Sequence, residues 1–322
     1  MWKAPLAAVN DEIIRRVKLL SALGCDILRF SVPNVETADR LGKLAERVSI
    51  PLVADIHFDY RIALKCLDWP IAKIRLNPGN IGADWKVREV VQKAKDRGIP
   101  IRVGINGGSL PKGLRAEKDR GRAMLHAAEE ELSLFDRLDF DDVIFSLKAS
   151  EIDATVRANT LFSEAYPYPL HLGLTEAGPL VSGIVKSTFT LTTLLRAGIG
   201  DTIRISLSDS PENEIVAGRE ILRITGMRQG GINIVSCPTC GRTDFNVRAF
   251  LADIHPFLME QQKDLTVAIM GCPVNGPEEA RHAQLGITGT DKYAVIFKEG
   301  KIIKRVPFDK ALESFKEEIR RY

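Results

Sequence analysis

Three cysteines near the C-terminal end of the chain are the residues whose types and spacing most directly indicate chemistry. Cys237 and Cys240 form a C-x-x-C motif, Cys272 follows alone, and Glu279 and His282 come shortly after it. A lone C-x-x-C motif occurs in zinc sites, redox pairs and iron–sulfur proteins alike. Completion by His282 would make a zinc site, whereas completion by a carboxylate would leave an iron with one exchangeable position. The cysteines by themselves leave both interpretations open.

A second group consists of cations at the ends of predicted strands, namely Arg29, Arg75, Arg102, Lys148 and Arg204. At one end of a barrel these like charges repel one another unless an anion binds among them, and planar guanidinium groups suit phosphate oxygens. The group therefore predicts a diphosphate-sized ligand, although each cation could instead pair with a surface carboxylate. A phosphate-binding barrel in the same chain as the cysteines favours the iron–sulfur interpretation.

Other strand-end residues could take part in chemistry. Glu176 could exchange a proton with a substrate, or it could simply pair with an arginine. His57 could donate a hydrogen bond to a phosphate, and a structural role is equally consistent with its position. Lys148 could form a Schiff base in a lyase, but the surrounding arginines favour phosphate binding. His171 begins its strand and is predicted to lie at the opposite end of the barrel.

Seven strand–helix units position these residues. Runs rich in β-branched residues recur at 27–32, 51–57, 73–77, 100–106, 143–148, 170–176 and 202–207, with helical patterns between them. This alternation favours a parallel sheet. Because every strand carries polar residues near its C-terminal end, we predict an α/β fold with a TIM-type (β/α)8 barrel over residues 1–229 rather than an open sheet. Its first strand is missing or unrecognisable in residues 1–10.

The pattern changes after Gly230-Gly231 and predicts a small α+β domain over residues 230–322. A strand leads into Cys237, a helix follows, and a second strand ends just before Cys272. A hairpin around residues 298–301 and a closing helix capped by Asp309 complete this domain.

Composition argues against several classes of protein. The chain has 45% hydrophobic and 27% charged residues, and its net charge of +3 is too small to indicate a nucleic-acid partner. It lacks both a run of about 18 apolar residues and a signal-peptide pattern, so we expect no membrane span and a cytoplasmic location. Five cysteines are an odd count, unlike a secreted disulfide framework, and Cys25 and Cys66 are predicted to be buried thiols.

Five segments carry a resemblance to a known family: Ala54-Asp55-Ile56-His57-Phe58, Arg75-Leu76-Asn77-Pro78-Gly79-Asn80, Gly173-Leu174-Thr175-Glu176-Ala177-Gly178, Cys237-Pro238-Thr239-Cys240 and Val274-Asn275-Gly276-Pro277. In order and through essentially the whole chain, they resemble the 4-hydroxy-3-methylbut-2-enyl diphosphate synthases, iron–sulfur enzymes of the methylerythritol phosphate route to isoprenoids. The stretch between Ser206 and Cys237 is too short for the extra domain of plant-type members, which indicates the two-domain bacterial form.

The resemblance implies a reductive ring opening of 2-C-methyl-D-erythritol 2,4-cyclodiphosphate, which gives 4-hydroxy-3-methylbut-2-enyl diphosphate and water. Two electrons would enter one at a time through a 4Fe-4S cluster, supplied by flavodoxin or ferredoxin. The matching cluster ligands are Cys237, Cys240, Cys272 and Glu279. The carboxylate could leave its iron so that a substrate oxygen binds there.

The resemblance also implies roles for other residues. Glu176 matches an acid that helps to protonate the substrate during C–O cleavage, and Asn275 matches a residue that faces the substrate from the cluster domain. In the family, the cluster domain of one subunit caps the barrel of the other, so a homodimer with a shared site is expected. The family's substrate-binding positions fall on Arg29, Arg75, Asn77, Arg102, Asn106, Lys148, Arg204 and Ser206, with His57 nearby.

Two positions depart from the family pattern. Glu278 stands where the family usually has glycine, beside the expected ligand Glu279. Met1 falls within the stretch that closes the family's first barrel strand, so the strand itself would be absent and two sheet edges would be exposed. We therefore suspect a start codon placed too late or a truncated gene, and we expect upstream codons, if they exist, to raise thermal stability.

Overall fold

Strands and helices alternate through the first of the two units into which the chain divides, Met1–Met227 and Arg228–Tyr322. The structure is a computed structural model that describes residues 6–240, 243, 245–272 and 276–322. The strands of the first unit are β1 (Leu28–Ser31), β2 (Leu52–Asp55), β3 (Lys73–Leu76), β4 (Ile101–Asn106), β5 (Val143–Lys148), β6 (His171–Leu172) and β7 (Thr202–Ile203). Its helices are α1 (Asp11–Ala22), α2 (Val35–Ala45), α3 (Tyr60–Cys66), α4 (Pro78–Ile81), α5 (Asp84–Arg97), α6 (Arg120–Arg137), α7 (Ile152–Ala165), α8 (Leu180–Arg196) and α9 (Pro211–Ile224).

Parallel pairing joins these strands in chain order, which confirms the predicted parallel α/β architecture. Strands β1 to β5 form one sheet, and β6 pairs with β7 in a second. A parallel bridge between Phe145 and Leu170 connects the two sheets. Among the described residues β1 and β7 are not paired with each other, so closure of the barrel stays a prediction. Of residues 1–10, where the first strand is predicted to be missing or unrecognisable, residues 6–10 form no strand and residues 1–5 lie outside the described residues.

Apolar faces of the helices cover the sheet. Helix α1 is capped by Asn10, whose Oδ1 accepts a hydrogen bond from the backbone N–H of Ile13 at 3.0 Å. The first and last helices of the unit are neighbours, because Arg16 on α1 pairs with Glu212 on α9 at 3.2 Å. Cys66 is fully buried and Cys25 partly so. The polar residues at the C-terminal ends of the strands lie outside this apolar core.

The second unit is a mixed five-stranded sheet in the order β12-β11-β10-β9-β8, packed with helices. Its elements are β8 (Ile232–Ser236), α10 (Val247–Glu260), β9 (Leu265–Ile269), α11 (Gly276–Glu279), β10 (Leu285–Gly289), β11 (Ala294–Lys298), β12 (Lys301–Val306) and α12 (Phe308–Arg321). The predicted hairpin and closing helix are present, but Pro307 precedes the helix and Asp309 lies in its first turn, so the predicted Asp309 cap is wrong. No described helix combines the length and the apolar character that a bilayer span requires.

Candidate functional site

A cavity of about 290 Å³ lies where the C-terminal ends of the first unit's strands meet. It brings together most of the residues predicted to bind substrate. Eight of them line it: Arg29, His57, Arg75, Asn77, Arg102, Asn106, Lys148 and Arg204. Ser31, Asp55, Asn80, Ser109, Ser146 and Thr175 complete the lining.

The register of the parallel strands explains why these side chains meet. Arg75 on β3 stands opposite Arg102 on β4, and Asn106 on β4 stands opposite Lys148 on β5. Residues two apart on one strand point to the same face. Polar residues at matching positions on neighbouring strands therefore converge at one edge of the sheet.

Asp55 is the counter-charge inside this cluster of cations. Its two carboxylate oxygens accept from Arg29 Nη1 and Arg75 Nη1, each at 3.2 Å, and His57 Nε2 lies 3.7 Å away. Burial alone would raise the pKa of Asp55, but Arg29 and Arg75 hold the pKa below its ordinary value. Two of the five cations thus pair with a carboxylate, although with a buried one that lines the cavity rather than with a surface group.

Three further cations leave the cluster with an excess of positive charge, although the buried carboxylate of Glu214 acts on Arg204. Lys148 is 3% exposed, and its ammonium group has no hydrogen-bond partner among the described residues. Burial lowers the pKa of Lys148 well below its usual value, and Arg204 and Arg102 lower it further. Burial and Arg29 likewise lower the pKa of Arg204 to about 10. Desolvated like charges of this kind attract a compact polyanion strongly.

Two glycines that sequence reasoning missed make room for the Arg75 guanidinium and for the backbone at Arg204. A Cβ on Gly104 would lie 2.5 Å from Arg75 Nη2, so the arginine crosses the sheet only where β4 has no side chain. A Cβ on Gly173 would lie 2.4 Å from the carbonyl oxygen of Arg204. A glycine inside a predicted strand often marks such a close approach, and this was the available signal for Gly104.

Three predicted site residues do not line this cavity. Glu176 is exposed and has a left-handed backbone with φ of 54°, one residue after Thr175. Ser206 lines an adjoining cavity of about 530 Å³ in the same unit, which shares Arg204 with the first. Asn275 lies outside the described residues.

His171 also lies outside the cavity lining. Its Nδ1 is 2.8 Å from Thr202 Oγ1, a contact that joins β6 to β7. Burial lowers the pKa of His171 well below its usual value, and Lys148 adds to this effect. His171 therefore links two strands of the first unit and takes no part in lining the cavity.

The cysteines of the second unit follow the ends of adjacent strands. Cys237 comes directly after β8 and Cys272 soon after β9, and these two strands are parallel neighbours. The backbone N–H of Gly271 donates to Cys237 Sγ at 3.1 Å, and the backbone N–H of Cys240 donates to Thr243 Oγ1 at 3.0 Å. Both loops therefore lie at one edge of the sheet.

These residues fit an iron–sulfur cluster in the chemistry of their donors. Amide groups aimed at cysteine sulfurs are one of the ways in which proteins tune such clusters. A Cβ on Gly271 would lie 3.1 Å from Cys237 Sγ, so glycine permits the close N–H contact. Within the described residues no three His, Cys, Asp or Glu side chains form a group that could hold a metal ion.

The acidic residues near Cys272 differ in their surroundings. Glu278 forms an exposed ion pair with Arg281, and this hydrogen bond lowers the pKa of Glu278. Glu279 and His282 are exposed. Glu278 is thus engaged by an arginine, and the assignment of Glu279 as the fourth ligand stays a prediction.

Comparison with known proteins decides the family. The model of the GcpE TIM-barrel domain matches residues 1–219, and the model of the GcpE protein C-terminal domain matches residues 233–321. The chain belongs to the GcpE family. This membership confirms the resemblance inferred from the sequence, and with it the prediction of an iron–sulfur oxidoreductase of isoprenoid precursor biosynthesis.

Curated relatives of this GcpE chain share close to half of its residues. A 4-hydroxy-3-methylbut-2-en-1-yl diphosphate synthase (flavodoxin) from Treponema denticola is 47% identical over 98% of the chain and 88% of its own length. The enzyme of the same name from Treponema pallidum is 50% identical over 95% of the chain and 79% of its own length. Among solved structures, dihydropteroate synthase from Yersinia pestis aligns over 67% of this chain and 87% of its own, with a TM-score of 0.46 and 12% identity. That structural likeness is too distant to bear on fold or function.

Proposed function

We propose that the protein reduces 2-C-methyl-D-erythritol 2,4-cyclodiphosphate to 4-hydroxy-3-methylbut-2-enyl diphosphate and water, with residues 1–229 binding the substrate and residues 230–322 holding a 4Fe-4S cluster. The observation that carries the proposal is the cavity of buried cations, in a chain whose relatives bear the name of this synthase. We also infer that the first unit is a closed barrel and that the enzyme works in the cytoplasm.

The cation cluster binds the two phosphates of the substrate. Arg102, Lys148 and Arg204 supply charge in excess of that of Asp55, while Arg29 and Arg75 are held in place by ion pairs with that carboxylate. Asn77, Asn106 and His57 offer further donors for phosphate oxygens, and Ser206 in the adjoining cavity offers a hydroxyl group. Fixing the diphosphate in this way orients the carbon skeleton towards the mouth of the cavity.

Glu176 acts as a general acid at the mouth of the cavity. Its carboxyl group is exposed and follows Thr175, which lines the cavity. A left-handed backbone is uncommon for a residue with a side chain, and such conformations often occur at functional sites. Protonation of the leaving oxygen by this group lets it depart as water.

The cluster supplies electrons one at a time when it is bound. Cys237, Cys240 and Cys272 would hold it by thiolates and Glu279 by a carboxylate, which is the weakest and most exchangeable of these ligands. Asn275 would face the substrate from the same unit. Flavodoxin, which the relatives' names specify, is the proposed donor, with ferredoxin as the alternative. Two chains would form a homodimer that shares each site.

Anaerobic purification followed by turnover tests the proposal. We expect a brown protein with about four irons per chain that converts the cyclic diphosphate with a chemical reductant. Glu176→Gln should keep the iron and lose most of the activity, because the amide cannot donate the proton. Colourless protein that binds stoichiometric zinc after anaerobic reconstitution would reject the proposal in favour of a zinc-stapled phosphate-binding protein.

A further inference from the structure

Glu131, a carboxylic acid outside the cation cluster, contacts the segment that carries two of the cavity's asparagines. It lies on α6, and its Oε1 accepts a hydrogen bond from the backbone N–H of Gly79 at 3.2 Å. Gly79 stands between Asn77 and Asn80, which both line the cavity. The same N–H is shared with Asn77 Oδ1, at 3.0 Å. Glu131 is therefore linked to the cavity through a single backbone group.

The position of Glu131 on its helix is unfavourable for a carboxyl group. Residues on the same face of α6, among them Ala127, Ala128 and Phe135, are buried. Burial raises the pKa of Glu131 to about 7; the hydrogen bond from Gly79 opposes this rise, and the neighbouring Glu130 adds to it. An apolar side chain would avoid the cost of burying the charge. Glu131 itself is half-buried, and residues that cost stability at such positions are expected where they serve function.

The segment from Asn77 to Ile81 is also restrained by a backbone hydrogen bond from the Asn80 N–H to the Asn77 carbonyl oxygen at 2.9 Å. Asn77 Nδ2 donates to the carbonyl oxygen of Gly104 at 3.4 Å, a long hydrogen bond. The side chain of Ile81 is 3% exposed and anchors the far end in the core. The bond between Glu131 and Gly79 is the contact that fixes the middle of the segment to a long helix.

We propose that Glu131 is a positioning residue that holds residues 77–80 so that Asn77 and Asn80 present their side chains to the bound diphosphate. This inference rests on the proposed function. When Glu131 is removed, the Gly79 N–H keeps Asn77 Oδ1 as an acceptor, so no buried donor is left unsatisfied. The middle of the segment then loses its hydrogen bond to α6, and the Asn77 amide is less available to substrate, so affinity falls while the fold and the chemical step persist.

The test compares substitutions at two adjacent glutamates in the reconstituted holoenzyme. Glu131→Ala should raise both KM and the calorimetric Kd for the cyclic diphosphate about tenfold, because the displaced segment presents its two asparagines less well to the ligand. Its kcat should stay within about twofold and its iron content should not change. Glu131→Gln retains an acceptor oxygen and should stay within about threefold of wild type. Glu130→Ala removes an exposed charge one residue away and should bind as wild type does.

A double-mutant cycle with Asn77→Ala separates this role from general destabilisation. If Glu131 acts through the segment, its substitution adds less than its full effect once Asn77 is gone. The inference would be overturned if the fold-changes in Kd of the two single substitutions simply multiply in the double mutant. It would also be overturned by an unchanged Kd in Glu131→Ala. Failure of the wild-type holoenzyme to bind or turn over the cyclic diphosphate would instead reject the proposed function.

Discussion

The cation cavity of the first unit and the cysteine loops of the second differ in what holds their side chains in place. In the cavity, charged side chains fix one another, as Asp55 does for Arg29 and Arg75. In the cysteine loops, the contacts described are made by backbone amides, such as that of Gly271 to Cys237 Sγ. The cavity is shaped by side-chain charge and the cysteine loops by backbone geometry.

Because of this difference, a bound ligand should have a different effect on each site. Buried like charges make the cavity costly in the free protein, so an anion that binds there should stabilise the fold. Thiolates bind metal only when they are deprotonated and brought together, so metal binding to the loops contributes to their folding. Substitutions in one site should therefore leave ligand binding at the other site unchanged.

The largest effect is expected from Cys240→Ser, which removes the most exposed thiol of the set. Without this thiolate the iron content should fall well below about four per chain, and turnover should fall by about a thousandfold or more. Diphosphate binding to the cavity, measured by calorimetry, should stay within about twofold. The matched control Cys25→Ser, in the first unit, should keep its iron. Full iron content in Cys240→Ser would remove it from the ligand set.

Asp55→Asn should destabilise the first unit by about 3–5 kcal/mol, because it leaves buried arginines without their counter-charge. Denaturant unfolding measures this loss, and added diphosphate should restore part of it. Asp68→Asn breaks an exposed ion pair with Lys93 and should cost less than about 1 kcal/mol. Equal costs for the two substitutions would show that the cavity's charges are not held as described.

Gly104→Ala should weaken diphosphate binding about tenfold and cost about 1–2 kcal/mol, since its Cβ would collide with the Arg75 guanidinium. Binding is measured by calorimetry and stability by denaturant unfolding. Gly108→Ala is the control, because nothing lies within 4 Å of a Cβ there. Wild-type affinity in Gly104→Ala would mean that Arg75 reaches the ligand by another path.

The smallest effect concerns the stability of the wild-type protein against pH. The pKa of Glu131 is raised to about 7 in the folded state, so the folded protein binds this proton more tightly than the unfolded chain. Stability from this group therefore increases as pH falls through 7 and is lost as pH rises. Relative to Glu131→Gln, wild type should gain about 1 kcal/mol between pH 8 and pH 6 in parallel unfolding measurements. A constant difference between the two proteins would contradict the raised pKa.

Much of the cavity could be predicted because parallel strands bring their C-terminal ends to one edge. Arg29, Arg102 and Lys148 were recognisable as a group from strand position alone, and the structure brings them together. Asn80 and Ser109 were missed, since they lie beyond the strand ends where periodicity carries no information. Glu131 was missed because a contact across 52 residues leaves no local pattern.

The strand that leads to Glu176 was predicted to be longer than it is, because its sequence pattern does not show where the backbone changes direction. The pattern indicated a strand over residues 170–176, but β6 covers only His171–Leu172. Gly173, with φ of 150°, and Glu176, with φ of 54°, leave the extended conformation. An alternation of apolar residues does not show where the backbone leaves the extended conformation. The exposure of Glu176 could therefore not be predicted.

The buried ammonium of Lys148 also couples the cavity to the proton concentration of the solvent. Its pKa is depressed in the free protein by burial and by neighbouring cations. A bound polyanion opposes both effects and raises that pKa again. At a pH between the pKa of Lys148 in the free protein and its pKa in the complex, ligand binding takes up a proton from solution. The measured heat of binding then depends on the ionisation enthalpy of the buffer. By the same linkage, alkaline conditions should weaken diphosphate binding, because Lys148 and then Arg204, whose pKa is lowered to about 10, lose their charge.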